Sequence, residues 1–169
     1  MRKGIYLILG AYILWSWGAA FGETFKTFRG IQWGADKKDV PGLIAGPQSK
    51  NVEAYTRNEN NKVGDIEVQS IYYMFYKGKL GAARILFQGA SNSSILKEAL
   101  YQKYGRGEKP DPSAEKFIWD LKDLKIIFQG EDKDKGGSID YFFKPIVQQR
   151  EEDKTKARQR DNQKRIDDL

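Results

Sequence analysis

The chain has 169 residues, 40% hydrophobic and 31% charged, which suits one folded domain with short extras and is too apolar for a wholly disordered chain. Cysteine and histidine are both absent, which excludes disulfides, thiolate nucleophiles, Cys/His zinc sites and imidazole bases. The formal charge of +6, two of it from Arg2 and Lys3, is a mild excess spread along the chain, with no basic run to mark a polyanion site.

The first twenty residues place Arg2 and Lys3 before an apolar stretch, Ile5 to Trp17, and then Gly18, Ala19 and Ala20. A positive start, an apolar centre and a small-residue exit are the parts of a secretory signal peptide, so residues 1–20 are read as one. The alternative is an uncleaved inner-membrane anchor, with Trp15 and Trp17 at the interface. Either reading exports the remainder, to the periplasm or beyond. The chain is then expected to divide into a single α+β domain, 21–146, and a charged tail, 147–169.

In GIQWGADKKDVPGL, Asp36 is placed to cap a short turn over Lys37 to Asp39, Val40 points inward, and Pro41 and Gly42 stop the turn. Trp33 reads as an anchor holding that turn on a sheet. From Ala45 to Asp65 the residues are Gly, Pro, Asn and charge, with a short strand at Val52 to Tyr55; NENNKVGD is a loop or hairpin tip.

IYYMFYKGKLGAARILFQ then predicts a hairpin turning at Lys77-Gly78-Lys79. Ile71, Tyr73 and Phe75 share one face, and Tyr72, Met74 and Tyr76 the other. SNSSILKEALYQKYG predicts an amphipathic helix capped at Ser93 or Ser94, striped by Leu96, Leu100 and Tyr104, and closed by Gly105. A second hairpin, EKFIWDLKDLKIIFQ, turns near Leu121 to Asp123, and SIDYFF is a last strand. ILFQG at Ile85–Gly89 and IIFQG at Ile126–Gly130 are read as one strand ending written twice: Phe buried, Gln out, Gly bending the exit. The expected fold is a twisted antiparallel sheet of five or six strands with one main amphipathic helix across a face.

The tail is nearly free of apolar residues. Pairs such as Glu152 with Lys156 and Asp161 with Arg165 support a helix, while Asp167 and Asp168 oppose the dipole at its end, leaving a frayed helix or disorder.

Asp132 to Asp140 partly fits the spacing of a calcium loop, but Gly136 and Phe143 stand where oxygen ligands are needed, and a turn between strands accounts for the segment. Glu23, Glu53, Glu67, Glu98, Glu115 and Asp120 are available carboxylates, and none stands in a recognisable catalytic motif. No catalytic residue, cofactor or metal is therefore expected.

The segment Gly30 to Leu43 resembles the helix start of small exported α/β proteins, among them the beta-lactamase inhibitor proteins and the small lipoprotein of the outer-membrane barrel-assembly machinery. That resemblance implies helices packed on an antiparallel sheet and protein binding without catalysis. It carries over no binding residue; the chain lacks a lipidation cysteine, and Pro41 interrupts the first helix.

The expected function is a non-catalytic exported interaction domain whose partner is another envelope protein. Its candidate partner surface holds Tyr72, Tyr76, Lys77, Lys79 and Arg84. The alternative partner is an anionic envelope glycan or lipid held by Lys77, Lys79 and Arg84. Nucleic acid is disfavoured by the slight charge and the export address, and membrane contact follows only from an uncleaved leader.

Overall fold

Alternating burial organises this chain. Through Ser70–Tyr76 and Lys79–Phe87, odd-numbered residues such as Ile71, Tyr73, Ala83 and Ile85 are buried, while Tyr72, Met74 and Leu86 are half-buried. That period of two is what a strand requires when one face of its sheet is covered and the other is not.

The structure, a computed structural model, describes residues 25–49, 51–132 and 136–168, so the expected leader, 1–20, lies outside the described residues, as do residues 133–135 of the calcium-loop-like segment. In chain order the elements are β1 (Thr27–Phe28), β2 (Ile31–Gln32), a short 3-10 turn (Lys37–Asp39), β3 (Leu43–Ser49), β4 (Val52–Arg57), β5 (Lys62–Val63), β6 (Ile66–Glu67), β7 (Ser70–Tyr76) and β8 (Lys79–Phe87). There follow α1 (Ala90–Tyr104), β9 (Lys116–Asp120), β10 (Leu124–Asp132), β11 (Gly136–Phe143) and α2 (Lys144–Asp167).

The architecture is α+β, with a seven-stranded antiparallel sheet in the order β3-β4-β7-β8-β11-β10-β9 and two helices. The sheet therefore exceeds the five or six strands expected. The unforeseen strand is β3, where Gly46-Pro47 reads as loop; β3 lies at the sheet edge, and its register with β4 shifts between Ala45 and Gln48. An edge bulge is where a strand tolerates a residue with no N–H to donate. The tail also differs in detail, because its helix begins at Lys144 and runs continuously to Asp167.

Strands β4, β7 and β8 form a meander. The chain then crosses by α1 to β9 at the far edge and returns through β10 and β11, which closes beside β8. Strands β8 and β10 thus run parallel on either side of β11, and their FQG endings lie at the same end of the sheet. Phe87 and Phe128 are both fully buried and stack at 5.7 Å. Gln88 and Gln129 are exposed. The two glycines differ: Gly89 adopts φ +96 at the start of α1, whereas Gly130 stays in β10 at a register shift, where a Cβ would strike Glu115.

One face of the sheet is the core. Across it run Ile71, Ile85, Ile139, Phe128 and Phe117 in one cross-strand row, and Tyr55, Tyr73, Ala83, Tyr141, Ile126 and Trp119 in the next. Leu96 and Leu100 of α1 seal this face, with Phe28, Ile31, Trp33 and Val40 from the N-terminal segment. The helix starts earlier than its serines suggest: Ser93 is buried in its second turn, its N–H bonded to the Gly89 carbonyl. Asp36 likewise makes no side-chain cap and is drawn instead to Lys79.

Helix α2 serves the opposite face and covers only one end of it. Ile146 sits on Gly81, where a Cβ would collide with its side chain. From Thr155 to Asp168 every residue is exposed. A polar helix of this kind is held by its own pairs, such as Lys154 with Glu151 and Gln163 with Asp167, rather than by packing.

Candidate functional site

The face opposite the core can be read strand by strand. Its middle row, from β7 to β9, is Tyr72, Arg84, Asp140, Ile127 and Ile118. Toward α2 the next row is Ala54, Met74, Ala82, Phe142, Lys125 and Asp120; at the far end it is Ser70, Leu86, Ser138, Gln129 and Lys116. Tyr72, Met74, Leu86, Ile118 and Ile127 are all half-buried, so apolar groups recur across this face with no element over them among the described residues. In the centre the Arg84 guanidinium pairs with Asp140, whose carboxylate also accepts from the Ser138 hydroxyl at 3.1 Å. Asp140 is only 7% exposed while the Arg84 side chain stays exposed, so the face presents one guanidinium, neutralised from below, among half-buried apolar groups.

The five residues expected to form a partner surface lie on or beside the β7–β8 hairpin, but they are not equally available. Tyr72 is half-buried on the open face. Tyr76 corrects the expectation: it is 7% exposed, and its hydroxyl donates to the Asp153 carboxylate of α2 at 2.8 Å. Burial, then that hydrogen bond, raises the Tyr76 pKa. Alternation puts Tyr76 on the same face as Tyr72 but does not reveal that the tail folds back over it.

The three cations meet carboxylates in the same way. Lys77, at the turn, reaches Asp153 at 2.6 Å; Lys79 reaches Asp36 at 2.8 Å; Arg84 holds Asp140. Hydrogen bonds from Lys77 and then Tyr76 lower the Asp153 pKa, and the bond from Lys79 lowers that of Asp36. Nearby, Lys37, Glu53 and Tyr55 form a closed triangle, with Tyr55 donating to Glu53 at 2.7 Å. Each of the three hairpin cations thus has a carboxylate partner while its own side chain stays exposed.

A second concavity escaped the sequence. Where the β1–β2 hairpin meets the β9–β10 turn, Phe25, Trp33, Leu121, Leu124 and Phe143 line a cleft of about 670 Å³, with Lys26, Gln32, Lys122 and Asp123 around it. Trp33 stacks on Phe143 at 6.1 Å and 13°, as an anchor should, yet its Nε1–H is buried without an acceptor. A tryptophan beside Gly34 signals burial. Nothing in that short run signals that residues ninety positions later complete a wall.

Among the described residues no three His, Cys, Asp or Glu side chains converge, and no helix is long and apolar enough to cross a membrane. Comparison with protein-family models, curated proteins and solved structures finds no match for the chain.

Proposed function

We propose that this protein is a non-catalytic, exported interaction module that docks another envelope protein on the open face of its sheet. The observation that carries this reading is the half-buried apolar row formed by Tyr72, Ile127 and Ile118 with Met74 and Leu86 beside it, on strands whose other face is fully packed. Apolar side chains that a fold leaves uncovered around a paired charge are characteristic of contact sites. The first half of α2, through Ile146 and Asp153, closes the hairpin end of that face.

A photo-crosslinking amino acid at position 72, introduced in the full chain in its native host, should yield a defined protein adduct that survives high salt, since apolar docking is little screened. The same group at Glu98, exposed on α1 across the core, should give none. Equal adducts at both positions, or none at 72, would remove the open face as the docking site.

A further inference from the structure

We propose that the cleft beside Trp33 is a separate site for a single-chain amphiphile bearing a carboxylate head. It lies apart from the open sheet face and stands independently of the docking role given to that face.

Three observations converge. The volume of about 670 Å³ falls in the range occupied by small-molecule sites, and the walls are apolar, as such sites usually are. The second is the orphan donor. The other tryptophan in the described body, Trp119, is also buried, and its Nε1–H donates to the Gly105 carbonyl at 2.7 Å. The fold thus satisfies one indole and leaves the other, 6% exposed and lining the cleft, without an acceptor. A buried donor is expensive to leave unmade, so a small shift of the indole that brings its Nε1–H onto a ligand oxygen gains more than an ordinary hydrogen bond.

The third observation is charge. Lys37, Lys77, Lys79, Lys97, Lys144 and Lys154 are each ion-paired, whereas Lys38, Lys103, Lys116 and Lys125 have no such pair among the described residues. Lys26 and Lys122, which flank the cleft, make no such pair among the described residues. Asp123 on the same rim offsets one of them, so the rim retains a single net positive charge. The apolar body of the ligand therefore supplies most of the binding, and the head sets its direction, with one oxygen for Trp33 and the other for a lysine.

The test is calorimetric titration of the purified full chain with octanoate, octanol and octyltrimethylammonium, each below its micelle-forming concentration. Octanoate should bind tightest and the ammonium weakest, with about tenfold between the extremes. Leu121→Trp, which fills the cleft, should abolish saturable binding, and Trp33→Phe should weaken octanoate by about tenfold. The double variant Lys26→Glu with Lys122→Glu, two surface changes that leave the core intact, should reverse the order of the heads. Absence of saturable binding, indifference to the head group, or full affinity in Leu121→Trp would overturn the site. Because crosslinking at position 72 does not involve the cleft, either reading can fail without the other.

Discussion

The two faces of the seven-stranded sheet are built by the same strands and differ residue by residue. Phe128 and Ile127 are neighbours in β10; the first is fully buried between Phe87 and Phe117, and the second is half-buried beside Asp140 and Ile118. The core face is aromatic, continuous and roofed by α1 and the N-terminal segment. The other face carries the Arg84–Asp140 pair with its arginine exposed, half-buried apolar groups around it and one end of α2. Under the docking role proposed above, stability and recognition fall on opposite sides of one sheet, and the period-two alternation of the strands keeps a change on one side from disturbing the other.

Paired substitutions at adjacent positions break or sharpen that contrast most strongly. Phe128→Ala should cost about 3–5 kcal/mol in urea unfolding, because a fully packed aromatic leaves a cavity. Ile127→Ala should cost about 1 kcal/mol or less, since much of its area is already in water. Comparable losses at the two positions would mean that the second face is covered in the folded protein and is no contact surface.

A smaller effect tests how α2 belongs to the open face. Gly81→Val puts a side chain where Ile146 rests, and should destabilise by about 1–3 kcal/mol through overpacking. Adding Ile146→Ala should restore most of the loss, because the two groups compete for one space. If the single change is silent, the helix is not seated on β8.

How much of this was legible depends on the range of the signal. Both hairpins, α1 and the buried Phe of each FQG could be read locally, because alternation and i, i+4 spacing are local consequences of strand and helix geometry. Strand β3 was not, since Gly46-Pro47 breaks an interior strand and is tolerated only at an edge, and edge position is decided by the whole sheet. The burial of Tyr76 depends on Asp153, seventy-seven residues away. The Trp33 cleft depends on the β9–β10 turn in the same manner. Site residues in this fold are defined by which distant segment arrives beside them, and composition carries no trace of that.

The smallest expected effect distinguishes the two holds that α2 has on the sheet, Ile146 on Gly81 and Asp153 on Tyr76 with Lys77. The Asp153 pKa is lowered in the folded protein, mainly by Lys77 and then Tyr76, so its contribution is present above the ordinary carboxylate pKa of about 3.9 and is lost as pH falls through the folded value. Tyr76 runs in the opposite sense: its pKa is raised, so its contribution is present below the ordinary phenol value of about 10 and fades as pH rises through the folded one. Solvent screens the Asp153 side, which keeps the energy small. The Tyr76 ring resonances should nevertheless shift as pH falls below about 4, and Asp153→Asn should remove that shift while leaving the pH response of Asp36 with Lys79 intact. An acid shift at Tyr76 that survives in Asp153→Asn would leave Ile146 as the helix's hold and make the polar contact incidental, and the edge of the open face would then be set by packing alone.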